Sequence, residues 1–193
     1  MTDETTTTGA TATVRLPDAE ATRAFGLALA GVLRAGDLVV LTGDLGAGKT
    51  TLTQGIGVGL HVRGQVASPT FIIAREHPPL PRGDGSRGPA LVHVDAYRLG
   101  SLDEVDALDL DSSLDESVTV VEWGEGWVEA LAADRLEVTI ARPRGGDAAA
   151  EDADAGERVV TVRAVGDRWA GVPLPAAPVE GAGREQVRDG VAG

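Results

Sequence analysis

Gly43-Asp44-Leu45-Gly46-Ala47-Gly48-Lys49-Thr50-Thr51 matches the spacing G-x-x-x-x-G-K-[ST] at every fixed position. The apolar run Leu38-Val39-Val40-Leu41 precedes it, as a buried parallel strand should. Thr51 to Leu60 can follow as a helix whose N-terminus faces the loop. Strand, glycine-rich loop and helix in that order make a phosphate-binding device. Gly43, Leu45, Gly46, Ala47 and Gly48 would supply a backbone cradle in which successive N–H groups and the helix dipole meet negative charge. Lys49 would reach the β- and γ-phosphates, the Thr50 hydroxyl would hold Mg²⁺, and Thr51 would lie beside the α-phosphate. A glycine-rich turn can match this spacing by chance, and the chain has 26 glycines. Against chance, arginine occurs 16 times and lysine once, at position 49. A chain that otherwise carries its positive charge on arginine has a compact ammonium at the one place that calls for it.

Bulk properties narrow the class. A chain of 193 residues suffices for one domain with a proper core. The absence of cysteine excludes disulfides and thiolate metal sites. No apolar run approaches membrane-spanning length, and Met1-Thr2-Asp3-Glu4 lacks the basic start of a signal peptide, so the cytoplasm is the expected address. A formal net charge of −13 argues against an autonomous nucleic-acid binder, which needs a basic footprint.

Taken in order, residues 1–10 read as a disordered leader, 11–168 as the domain and 169–193 as a disordered tail rich in Pro, Gly and Ala. Thr11 to Leu16 is a weak first strand. Asp18 is an N-cap for a helix to about Arg34 that Gly36 ends, with Ala21, Phe25, Ala28, Leu29 and Val32 on one face. The helix after the loop carries Gly55, Gly57 and Gly59, each costing about 1 kcal/mol relative to Ala, so its order must come from packing. An extended run reaches about His77, and 78–89 is a turn-rich insertion. Ala90 to Val94 and Val118 to Val121 are apolar strands, each followed by an acid, Asp95 and Glu122. Ser101 to Leu108 and Trp127 to Ala133 are short helices. Leu136 to Ile140 and Val159 to Val165 are alternating strands joined by the acidic loop 145–157.

Strands ending in carboxylates beside a phosphate loop have a chemical use, because ligands of doubly wound sheets bind at the carboxyl ends of the strands. Hard carboxylates suit a Mg²⁺ that bridges phosphates. One of Asp95 and Glu122 can hold the metal while the other holds or polarises the attacking water, and the residues alone leave both assignments open. Thr70, within Ser68-Pro69-Thr70-Phe71, fits a switch threonine that completes the metal shell and fits a plain turn equally well. His93 reads as a packed strand histidine, and no metal-ligand spacing links it to His61 or His77.

Together with the loop, Ser68-Pro69-Thr70-Phe71, His93-Val94-Asp95-Ala96-Tyr97-Arg98-Leu99 and Val121-Glu122-Trp123 resemble, in order and spacing, the TsaE family, small bacterial ATPases of the tRNA threonylcarbamoyladenosine pathway. The resemblance spans about Leu16 to Val165. It implies an α/β, three-layer P-loop NTPase fold with a mostly parallel central sheet and a C-terminal antiparallel hairpin. It implies ATP binding with slow hydrolysis, and work with two partner proteins (TsaB- and TsaD-like) that modify adenosine 37 of tRNAs reading codons that start with A. It further implies Mg²⁺ at Thr50 and Glu122, a functional requirement for Asp95, and Trp123 near the nucleotide and partner surface. Two rivals share a phosphate loop. A GTPase would need an Asn-Lys-x-Asp segment, and the chain has no asparagine. A small-molecule kinase would need a lid arginine, for which Arg82 and Arg87 are the candidates.

Overall fold

The computed structural model describes residues 8–67, 74–98, 115–124, 126, 132–143 and 156–179. The elements are β1 (Thr8–Leu16), α1 (Ala19–Ala30), β2 (Leu38–Thr42), α2 (Lys49–Leu60), β3 (Ala74–His77), β4 (Ala90–Asp95), β5 (Ser117–Glu122), β6 (Arg135–Ala141) and β7 (Arg158–Val165). They build one seven-stranded sheet in the order β1-β7-β6-β2-β5-β4-β3. The four strands β6, β2, β5 and β4 run parallel. β7 returns antiparallel to β6 as the expected hairpin, β1 adds antiparallel to β7, and β3 lies antiparallel to β4. The sheet is therefore mixed rather than mostly parallel: a parallel centre between antiparallel flanks.

Alternation along the strands divides the core. Val39 and Leu41 of β2 join Val118, Val120 and Leu91 beneath Phe25, Leu29, Leu52 and Ile56 of the two helices. Leu38 and Val40 join Val92, Val94 and Val121 in a second cluster on the other face. Both described helices thus cover the same face. The helices expected at 101–108 and over most of 127–133 would supply a third layer, and they lie outside the described residues. Leu91, His93 and Asp95 share parity with Val120 and Glu122, since His93 pairs with Val120 and Asp95 with Glu122. All five therefore stand on the α2 side of the sheet.

Several boundaries differ from the sequence expectation. α1 starts where Asp18 caps it, the side chain accepting from Ala21 N–H at 2.8 Å. It ends at Ala30, short of Arg34, because Val32 and Leu33 N–H donate to Leu29 and Ala30 carbonyls and tighten the last turn. Residues 8–10 of the expected leader are strand, paired to β7 through a register shift between Thr8 and Thr11. The fit requires glycine at position 9, where a Cβ would lie 2.3 Å from the Ala164 carbonyl oxygen. The expected tail begins too early as well. Trp169 is buried in the core, with Val172 and Leu174 packed against it. Arg168 also donates through Nε and Nη2 to both Asp37 oxygens, at 3.0 and 2.9 Å. The domain accordingly extends past 169. The acidic loop 145–157 and the end of the chain from 180 fall almost wholly outside the described residues.

The glycines of α2 have a packing cause. A Cβ on Gly55 would sit 1.9 Å from the Arg23 carbonyl oxygen, and one on Gly26 would sit 2.2 Å from that of Leu52. The two helices cross backbone to backbone, closer than any side chain permits. Because the obstruction is main chain, the helices must separate to admit a methyl group. Gly55→Ala is expected to lower unfolding free energy by about 1–2 kcal/mol, the overpacking outweighing the gain in helix propensity. Gly83→Ala, with open space around it, should stay within about 0.5 kcal/mol of the parent. Urea denaturation of both variants tests this, and a stabilised Gly55→Ala would contradict the close crossing.

Candidate functional site

The glycine-rich loop of residues 43–48 leaves β2 and enters α2. At Gly43 a Cβ would lie 2.5 Å from the Ile140 carbonyl oxygen of β6, so the loop can leave the sheet there only as glycine. Gly46 and Gly48 adopt φ of 76° and 115°, which glycine tolerates without strain. Gly48 is the N-cap of α2, and no side chain caps that end. The first-turn N–H groups therefore remain for an anion. Leu45, at the loop tip, is 90% exposed. Ala47 is buried against the core.

Lys49, first residue of α2, is buried. Its Nζ donates to the Gly43 and Asp44 carbonyls at 2.7 and 3.0 Å. The ammonium also lies 3.9 Å from the centroid of the Trp123 ring, a cation–π arrangement. Burial pulls the Lys49 pKa below its ordinary value, and the Glu122, Asp95 and Asp44 charges oppose that pull.

Thr50 Oγ1 donates to Glu122 Oε1 at 3.0 Å, which joins the first turn of α2 to the carboxyl end of β5. That hydrogen bond uses the hydroxyl hydrogen and leaves the oxygen lone pairs for a cation. Asp95 is half-buried beside Glu122 in register, and its Oδ1 accepts from Tyr97 N–H at 3.0 Å. Trp123 follows Glu122 with φ of 62°, an uncommon left-handed conformation for a bulky residue. Its N–H donates to the Leu41 carbonyl at 3.2 Å, and its ring meets Tyr97 with centroids 5.2 Å apart.

Lys49, Thr50, Glu122 and Trp123 are thus joined by direct contacts, and Asp95 stands next to Glu122. Thr51 sits in the first turn of α2, half-buried. Thr70 lies outside the described residues. One participant was not read from the sequence as part of the site. His93, read there as a packed strand residue, is fully buried, and its Nε2 lies 2.8 Å from Glu122 Oε1. Strand parity was the available signal, because His93 stands two residues before Asp95 and so shares its face. Among the described residues no group of three or more His, Asp or Glu side chains could hold a metal ion. A cation placed on Thr50 and Glu122 would therefore draw the rest of its shell from phosphate and water, as Mg²⁺ commonly does.

The sequence model of the family described as "Threonylcarbamoyl adenosine biosynthesis protein TsaE" matches residues 16–148. The chain belongs to the TsaE family. It is 62% identical over 149 residues to the Streptomyces coelicolor tRNA threonylcarbamoyladenosine biosynthesis protein TsaE, covering 77% of this chain and 93% of that one. The Bacillus subtilis TsaE is 38% identical over 156 residues, covering 80% and 87%. A crystal structure of Bacillus subtilis YdiB superposes with a TM-score of 0.60 at 33% identity, over 84% of this chain and 90% of that one. The TsaE match takes in the loop, β4 and β5, and so every site residue named above.

The Lys49 environment has a measurable consequence. Below its lowered pKa, Lys49 is charged in both folded and unfolded chains, and the burial cost is present in full. As pH rises from that value towards 10.5, the folded protein releases the proton first and stability gains. The unfolding free energy of the parent, minus that of Lys49→Met, should therefore rise with pH on the alkaline side. Urea denaturation at stepped pH measures this difference, and a fall over that window would contradict the assignment.

Proposed function

We propose that the chain binds ATP with Mg²⁺ at this loop, hydrolyses it slowly, and in that capacity serves the formation of N6-threonylcarbamoyladenosine at position 37 of tRNAs reading codons that start with A. The observation that carries the reading is the Thr50–Glu122 hydrogen bond beside the uncapped N-terminus of α2. It supports the reading because a hydroxyl and a carboxylate stand side by side there, the kind of hard oxygen donors that a phosphate-bound Mg²⁺ takes.

In this reading, loop N–H groups from Leu45 to Thr51 bind phosphate oxygens, except that of Ala47, which donates to the Asp44 carbonyl at 3.0 Å and so departs from the expected cradle. The uncapped helix end adds its partial positive charge. Lys49, held in place by two loop carbonyls, supplies a positive charge to the β- and γ-phosphates. Thr50 and Glu122 would hold Mg²⁺, which when bound neutralises charge developing on the transferred phosphoryl group. Glu122 takes the metal side because it already shares a hydrogen bond with Thr50. Asp95, next to it in register, is left to orient water. Trp123 borders the nucleotide through its contact with Lys49.

Membership of the TsaE family supports the pathway, since the family and its relatives are both named for it. The net charge of −13 favours contact with tRNA through partners, TsaB- and TsaD-like in kind, rather than directly. The kinase alternative loses support. Arg87 donates to the Pro79 carbonyl at 2.8 Å, and isolated bridges tie Pro79 to Val62 and Arg87 to Pro81. The insertion is thus pinned to itself and to the end of α2.

Thermal melts and single-turnover assays test the proposal. ATP with Mg²⁺ at about 100 times Kd should stabilise the protein by roughly 2.7 kcal/mol, and GTP should do less. Asp95→Ala should retain binding while hydrolysis falls about 10²-fold or more. Thr50→Ala and Glu122→Ala should keep metal-free binding but lose the Mg²⁺-dependent part, and Glu122→Ala should lose hydrolysis to a similar degree. Wild-type hydrolysis in both carboxylate variants would overturn the site assignment.

A further inference from the structure

Glu122 receives two donors on one oxygen, and the second has no part in the reading above. His93 Nε2 lies 2.8 Å from Glu122 Oε1, the same oxygen that accepts from Thr50 Oγ1 at 3.0 Å. A carboxylate oxygen only accepts, so Nε2 carries the hydrogen. The other ring nitrogen, Nδ1, is buried with no hydrogen-bond partner among the described residues. Burying a ring nitrogen unpaired costs desolvation energy that an aliphatic side chain would avoid. What the imidazole gains at this position is its single bond to Glu122. Among the described residues no donor reaches Oε2 of that carboxylate.

We infer that His93 is the positioning residue of Glu122. It anchors Oε1 together with Thr50 and so presents Oε2 to the cation or to a water in its shell. The inference rests on the Mg²⁺–nucleotide reading of the site and deepens it. Geometry favours such a role. β4 carries His93 one pleat behind Asp95, and the parallel register with β5 sets it opposite Val120, one pleat behind Glu122. The ring therefore approaches the carboxylate from within the sheet, away from the loop. A side chain that fixes an outer oxygen of a metal-binding carboxylate raises metal affinity by limiting the rotamers the ligand must give up, and losing such a partner typically costs 10–100-fold.

Two variants separate positioning from packing. His93→Gln keeps an amide N–H near the place of ring Nε2, whereas His93→Leu keeps bulk and removes the donor. Each is compared with the wild type for ADP affinity without Mg²⁺, and for the Mg²⁺ concentration giving half the full enhancement of ATP affinity. In His93→Leu, metal-free ADP binding should be unchanged while the half-effect Mg²⁺ concentration rises about 10–100-fold; His93→Gln should stay near the wild type. A wild-type response in His93→Leu, or equal impairment in both variants, would overturn the inference. A wild-type protein with no Mg²⁺ enhancement at all would instead sink the nucleotide reading itself. Should His93→Leu fail to fold, ¹⁵N NMR of the wild type decides, since the chain has only three histidines. The His93 ring must show its hydrogen on Nε2, and a hydrogen on Nδ1 with a bare Nε2 would refute the bond.

Discussion

The carboxylate of Glu122 ties together the parts of the molecule that build the candidate site. It accepts one hydrogen bond from the first turn of α2 and another from the middle of β4, while its own strand, β5, lies between β2 and β4. Three elements distant in sequence are thereby referenced to one side chain that is itself buried. A buried carboxylate without partners would be costly, so the same contacts that satisfy it also fix where the glycine-rich loop meets the sheet. The left-handed turn at Trp123 follows immediately, and its N–H returns to the Leu41 carbonyl of β2. That return brings the indole face under the Lys49 ammonium.

The position of α2 is the second constraint. The helix is held from its outer side by α1, through a crossing in which Gly26 and Gly55 let main chain meet main chain. Its N-terminal end carries Lys49 and Thr50, so the depth of that crossing sets how far both reach over the sheet. Local propensity is given up for placement: a helix with three glycines in its second half is weak alone, and tertiary packing supplies its order. Arg168 reinforces the same region from the far end of the domain, clamping Asp37 and the Val32 carbonyl between α1 and β2.

Much of this was legible in the sequence because its determinants are local. Loop spacing, the apolar strands and their terminal acids are all read within a few residues, and they placed Lys49, Thr50, Asp95 and Glu122 correctly at one end of the sheet. What escaped was set by contacts distant in sequence. His93 looked like a core residue because nothing near it announces that Glu122, on another strand, will stand within reach. The glycines of α2 looked like a defect because their reasons lie elsewhere: Gly55 and Gly59 face α1, and Gly57 faces Val62, Val66 and Leu91. Thr8–Ala10 and Trp169–Leu174 looked featureless because β-pairing to β7 and packing against the finished core order them, and neither leaves periodicity in the segment itself. The balance of parallel and antiparallel strands follows similarly from which edges β1 and β3 choose.

The central claim, that this loop binds a nucleoside triphosphate through Lys49, can be tested on the side chain directly. Lys49 is the sole lysine, so an amine-acylating reagent meets one ε-amine and the chain's α-amino group. An ammonium paired with phosphate oxygens keeps its charged form and offers no free lone pair for attack. With ATP and Mg²⁺ at about 100 times Kd, the acylation rate at Lys49 in a peptide map should fall about 100-fold, less so with AMP at equal concentration, while the α-amino group reacts unchanged. Equal acylation of Lys49 with and without saturating ATP and Mg²⁺ would contradict the account.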